Sequence, residues 1–232
     1  MDRDAEALRR WYEETAQEPL EAMGDFFGAR WEQYEEHMSP WRAHYRWMAD
    51  LLPESTADLL DIGCGSGLEL DAIFARFPFL RVTGVDLSEP MLAKLKQKHP
   101  RKALTLVLAD YFRCDLGQAC FDAAVAFETL HHVTAAQKTA LFGKVLRSLK
   151  PGGVFLECDY IATSQAVEDL AFAELERRKR RDGLAAEAFV HFDTPLTLAH
   201  EKQALQDAGF SLVEVMGFLP GDDHTAMIRA QK

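Results

Sequence analysis

Gly63, Gly65 and Gly67 stand at alternate positions, and Asp86 follows 19 residues after the last of them. Alternate glycines allow a tight turn and leave no Cβ between the backbone and a ligand. A carboxylate at the tip of the next strand can accept both hydroxyls of a ribose. Together they read as a site for a nucleoside-type ligand. A second set of residues, Glu128, His131, His132, Asp159, Tyr160 and His191, offers groups able to take or hold a proton. The glycine spacing also speaks against two readings. A phosphate loop ends in Gly-Lys-Ser/Thr, which is lacking here. The dinucleotide fingerprint of a nicotinamide-dependent dehydrogenase needs glycine at position 68, where this chain has Leu68.

These residues need strands to carry them. Leu59 to Ile62 is a short apolar run that predicts a buried strand. Leu70, Ile73, Phe74 and Phe77 then repeat at helical spacing, so the turn opens a helix whose first N–H groups face the ligand. Val82 to Asp86 predicts a second strand, and Ser88-Glu89-Pro90 a helix start with Met91, Leu92 and Leu95 on its apolar face. Leu104 to Ala109 and Phe121 to Phe127 are the third and fourth strands. Thr134 and Gln137 form a capping box before the next helix. A turn over Leu149 to Gly153 leads to a fifth strand, Val154 to Cys158, with Asp159 and Tyr160 at its mouth. Gln165 to Ala188 is a long polar helical segment broken near Gly183, read as an insertion around 165–195 beside the site. Thr197 to Ala208 is a helix stopped by Gly209-Phe210, and Ser211 to Phe218 and Thr225 to Ala230 form a closing hairpin. Strands alternating with helices predict a doubly wound α/β sheet. Ligands of such sheets bind at the carboxyl ends of the strands, which gathers the polar residues into one cleft.

Asp61-Ile62-Gly63-Cys64-Gly65-Ser66-Gly67 followed by Gly84-Val85-Asp86-Leu87-Ser88 resembles the class I S-adenosylmethionine-dependent methyltransferases, and the likeness runs over roughly residues 56–232. It implies a Rossmann-like, seven-stranded sheet, mostly parallel with an antiparallel C-terminal strand. It implies S-adenosyl-L-methionine as cofactor and S-adenosyl-L-homocysteine as product, a ligand without phosphate, in keeping with a loop that has no lysine or arginine. Carried over residue by residue, the cofactor contacts are Asp61, Gly63, Cys64, Gly65 and Gly67 in the first loop. Asp86, Leu87 and Met91 follow the second strand, Asp110 and Tyr111 the third, and Phe127 and Glu128 end the fourth. Tyr34, ahead of the first strand, is placed near the methionine end. The run Glu128 to Val133 is similar to the Glu-x-x-x-His-Val run of small-molecule members, with His132 on the family histidine. His132, Asp159 and Tyr160 are the candidate catalytic residues.

Methyl transfer from a sulfonium is an in-line displacement with a good leaving group, so positioning is the protein's main task and a base is needed only if the acceptor must lose a proton. The chain lacks the Asn/Asp-Pro-Pro-aromatic run of the nucleic-acid amino-methyltransferases, the acidic magnesium cluster of the catechol type and the paired cysteines of the arsenic type. The expected activity is methyl transfer to a small-molecule acceptor, with oxygen, nitrogen, sulfur and carbon all open. The alternative is a cofactor-binding protein without transfer, a sensor or partner subunit.

A net charge of −11 argues against a nucleic-acid partner, which would be held through its phosphates. No apolar run reaches membrane-spanning length, and the charged N-terminus leads into no signal-peptide core, so the expectation is a cytoplasmic enzyme. A second copy of the chain is left open as a partner. Cys64, Cys114, Cys120 and Cys158 form no C-x-x-C pair and are read as reduced core residues; no metal is expected. The run Arg177 to Arg181 is read as a solvated helix face. Residues 1–55 hold all four tryptophans and predict a helical extension: one helix with Leu8, Trp11 and Tyr12 on a face, a second from Phe26 to Met38, and a third from Pro40 to Leu52. It is expected to act as a mobile lid over a domain spanning 56–232.

Overall fold

In the computed structural model, residues 2–232 are described; Met1, the first residue of the expected extension, lies outside them. Seven strands form one sheet: β1 (Asp58–Ile62), β2 (Arg81–Asp86), β3 (Ala103–Leu108), β4 (Phe121–Phe127), β5 (Leu149–Tyr160), β6 (Leu212–Phe218) and β7 (Thr225–Gln231). Their order is β3-β2-β1-β4-β5-β7-β6, and β7 runs antiparallel to both its neighbours while β1 to β5 are parallel. The strand order reverses between β1 and β4, so the switch point lies beside the glycine turn.

Alternation along the strands divides the core. Leu59, Val82, Val125 and Leu156 face α4 (Arg42–Leu51), α5 (Leu68–Arg76) and α6 (Glu89–Lys98). Leu60, Val85, Ala124 and Phe155 face α7 (Ala135–Ser148) and α9 (Leu198–Asp207). Helix starts follow the expected chemistry: Ser88 accepts from Met91 N–H, and Thr134 and Gln137 close a capping box. The Lys-Pro-Gly-Gly turn is part of β5 itself. It forms a bulge between the Phe121–Leu149 and Ala123–Val154 pairs, which makes the strand longer than the apolar run alone indicates.

The N-terminal extension is divided differently from its aromatic pattern. The expected second helix is two pieces, α2 (Met23–Arg30) and α3 (Tyr34–His37). α4 carries Tyr45, Met48 and Ala49 into the main core. In α1 (Arg3–Glu14), Tyr12 is buried while Trp11 is exposed. α1 packs on α8 (Gln165–Arg181), which ends before Gly183. The basic run is a solvated face only at Arg177 and Arg180; Arg178 and Arg181 form a clasp. Arg178 is buried, donating to Thr15 Oγ1 at 2.8 Å and to Glu174 at 2.8 Å, and Arg181 donates to the carbonyls of Ala16 and Glu18. Leu20 N–H donates to Asp182 at 3.0 Å. The segment after α8 then joins the extension through Met23 N–H to Phe189 O at 3.2 Å and His191 N–H to Glu21 O at 3.0 Å.

Among the described residues, no helix is long and apolar enough to cross a membrane.

Candidate active site

The turn after β1 is fastened from below. Gly63 and Cys64 donate N–H groups to Val85 O, and Gly65 N–H donates to Asp86 Oδ2 at 2.8 Å. Asp86 Oδ1 accepts from Ser88 N–H at 2.7 Å. Asp86 therefore ties two loops together, a structural load that its place at a strand tip does not reveal. Each of its oxygens keeps a second lone pair. A Cβ at Gly65 would stand 3.8 Å from the Tyr34 ring, so this glycine faces the cleft and α3. Beneath the turn, Asp61 and Glu69 are buried together. Burial, reinforced by the Glu69 charge, pushes the Asp61 carboxyl well above its usual range.

Two narrow cavities, about 40 and 30 Å³, follow the strand ends. Gly63, Asp86, Leu87 and Tyr111 line the first, and Gly65, Met91, Glu128 and Tyr34 the second. The sequence did not point to Thr129 or Phe27, which line both. The remaining expected residues stand behind. The Cys64 side chain and Phe127 pack in the core, and Gly67 begins α5. Asp110 accepts from Phe112 N–H at 2.8 Å, capping a turn.

A larger chamber of about 690 Å³ opens beyond Glu128. Phe26, Phe27, Tyr34 and Trp41 form its aromatic wall, and Trp41 Nε1–H donates to Thr225 Oγ1 at 3.2 Å. His191 stacks on Phe26 with ring centroids 3.4 Å apart, and burial lowers its pKa to about 4. The opposite wall holds Glu128, His131, His132, Tyr160 and Asp193. Another depression, about 740 Å³ between α4 and α5, is lined by Arg42, Arg46, Asp71 and Arg76 and by none of the strand-end residues.

His131 carries the buried carboxylate partner, although the sequence placed the emphasis on His132, which faces the half-exposed Asp193. His131 Nδ1 lies 2.6 Å from Asp159 Oδ1. Burial pulls its pKa down, but the Asp159 charge and hydrogen bond, with Asp193 and Glu128, raise it to about 9. His132 faces the Phe192 carbonyl at 3.2 Å, and burial beside His131 pushes its pKa well below the usual value. Asp159 is buried behind His131, while Tyr160 reaches the chamber. Behind Asp159 stands Lys138, fully buried, with Nζ 2.6 Å from Glu201, 3.4 Å from Asp159 and 3.7 Å from Glu157. Glu128 has a left-handed backbone (φ +47°) that turns its side chain out of β4; its Oε1 is buried without a partner, and burial raises its pKa to about 8. Asp193 and Lys138 were missed because neither lies in a strand-end motif; the first arrives on the insertion and the second on a helix.

The sequence profile of a methyltransferase domain matches residues 59–153. An uncharacterised methyltransferase of Mycobacterium bovis is 32% identical over 128 residues, covering 54% of this chain and 63% of that protein. The chain thus spans less than two thirds of that relative's length. A carboxy-S-adenosyl-L-methionine synthase of Campylobacter concisus is 30% identical over 177 residues, 72% of this chain and 74% of that protein. A phosphoethanolamine N-methyltransferase of Haemonchus contortus, solved with S-adenosylhomocysteine, superposes with a TM-score of 0.66 at 19% identity, over 90% of this chain and 60% of that one. This chain belongs to the class I S-adenosylmethionine-dependent methyltransferase family, whose cofactor is S-adenosylmethionine.

Proposed function

We propose that the protein transfers the methyl group of S-adenosylmethionine to a small-molecule acceptor held in the 690 Å³ chamber. One observation carries this reading: Phe27 lines all three cavities, and Tyr34 and Glu128 line both the chamber and the second narrow cavity, so the channel over the glycine turn and the chamber share a wall. The chamber falls within the size of small-molecule sites, roughly 300–1,000 Å³, and its ring-lined wall suits an acceptor with a flat apolar body.

The residues present fit the cofactor. Gly65 leaves its backbone open, Asp86 retains free lone pairs for a diol, and Glu128 Oε1 is a buried acceptor without a donor. Asp86, Leu87 and Tyr111 would hold the nucleoside end, and Gly63, Gly65 and Tyr34 the amino-acid end. When bound, the cofactor supplies an electrophilic methyl group. The chain's own part is to position the acceptor, to exclude water behind Phe27 and Tyr34, and to hold His131 against Asp159. α2, α3 and the turn through Trp41 are the pieces of the extension that line the cleft, so the lid reading narrows to residues 23–41.

The test is turnover of methyl-labelled S-adenosylmethionine with a panel of ring-bearing hydroxyl, amine and thiol compounds. Label should appear in at least one acceptor. Saturable cofactor binding with no transfer to any of them would favour a binding-only protein.

Asp86→Ala should weaken cofactor binding by about 1.5–3 kcal/mol through loss of charge-assisted hydrogen bonds. It should also lower the melting temperature, because Gly65 and Ser88 N–H lose their acceptor. Calorimetric titration and thermal melts read the two effects separately. An unchanged dissociation constant in the folded variant would remove Asp86 from the site.

A further inference from the structure

We propose that His131, His132 and Asp193 form a site for one divalent transition-metal ion of the zinc type at the floor of the chamber. Their donor atoms all lie within 4.8 Å of one another. Asp193 Oδ1 is 3.3 Å from His132 Nδ1 and 3.7 Å from His131 Nε2. Tetrahedral ligands at zinc distances stand about 3.4 Å apart, so to close on an ion the widest pair must approach by up to about 1.4 Å and His132 Nδ1 must give up the Phe192 carbonyl 3.2 Å away. Two imidazoles and a carboxylate are the donor mixture such ions take, and three protein ligands leave a fourth position open.

The surroundings are built for the same task. Asp159 accepts from His131 Nδ1 at 2.6 Å, which fixes the ring and leaves Nε2 as the nitrogen that faces Asp193. Metal-binding histidines are held in this way by a carboxylate on the far nitrogen. Thr194 N–H donates to His131 O at 2.6 Å, tying the segment that carries Asp193 to the one that carries both histidines. Asp159 and Asp193 lie within 3.7 Å of His131 on its two ring nitrogens, so one carboxylate holds the ring and the other faces the nitrogen left for the ion. The neighbouring set Glu128, His131 and Asp159 fits less well, because Asp159 is already bound to Lys138. The rival arrangement has no ion: a protonated His131 bridges Asp159 and Asp193.

The inference rests on the chamber reading only for what the open position would face. The test uses the tag-free full chain, stripped with a chelator and dialysed. Titration with zinc chloride should show one ion per chain, and cobalt chloride should give the visible absorption of a low-coordinate cobalt site. Asp159→Asn should weaken the ion about 10–100-fold. Asp193→Ala and His132→Ala should abolish the cobalt signal while circular dichroism stays that of the parent. S-adenosylmethionine binding by the stripped protein is read alongside, so loss of the metal site and failure of the cofactor reading are told apart. No cobalt signal in the parent, or an equal signal in Asp193→Ala and His132→Ala, would overturn the site and leave the bridging imidazolium.

Discussion

Lys138→Met should lower the unfolding free energy by about 3–5 kcal/mol, the usual cost of removing one partner from a buried charge cluster. The side chain has no exposed surface and lies against Glu157, Asp159 and Glu201, themselves 0–1% exposed. Without the ammonium, these carboxylates must take up protons or open the packing of α7, α9 and β5. Burial, and after it the Glu201 charge on Glu157 and the Asp159 charge on Glu201, push these two carboxyls above the usual range even with Lys138 present. A double variant, Lys138→Met with Glu201→Leu, should recover much of the loss, because an apolar pair can replace a buried ion pair at little cost. Chemical denaturation of the three proteins decides it. A single variant within about 1 kcal/mol of the parent would mean that water reaches the cluster and screens it.

Gly63→Ala should be nearly as damaging, by about 2–5 kcal/mol, combining left-handed backbone strain with overpacking. The residue sits at φ +68°, and its Cβ would stand 2.2 Å from Thr129 Oγ1 and 2.8 Å from Thr129 Cβ. Thr129 has little room to yield, since its carbonyl accepts from Tyr111 OH at 3.0 Å. Thr129→Gly in the same chain should return most of the overpacking part and leave the backbone strain. If Gly63→Ala melts with the parent and binds S-adenosylmethionine equally, the approach of these two loops is looser than described.

Much of the fold was legible because it follows short-range rules. The caps at Ser88 and Thr134, the stop at Gly209 and the paired apolar faces of β1 all depend on residues within a few positions of one another. The site was legible where it sits on the strand ends, as at Gly63, Asp86 and Glu128. It was not where a partner comes from far away. His131 and His132 are adjacent, and nothing local tells which one meets Asp159, 28 residues from His131. Asp193 reaches them only because the chain after α8 folds back over the chamber. Arg178 read as one member of a solvated run because the acceptors that bury it beyond Glu174 lie on α1 and the turn that follows, 163 residues away at Thr15.

That clasp bears on how such a chamber could be re-engineered. The N-terminal extension and the insertion touch through Arg178, Arg181 and Asp182, and again where Ala22 pairs with Val190. Phe26 from one and His191 from the other complete the same wall by stacking. A chimera that imports only one of the two segments from a relative would bring half of each contact and none of its complement. On the proposed function, the unit that sets acceptor choice is therefore a pair of distant segments, to be exchanged together on an unchanged sheet.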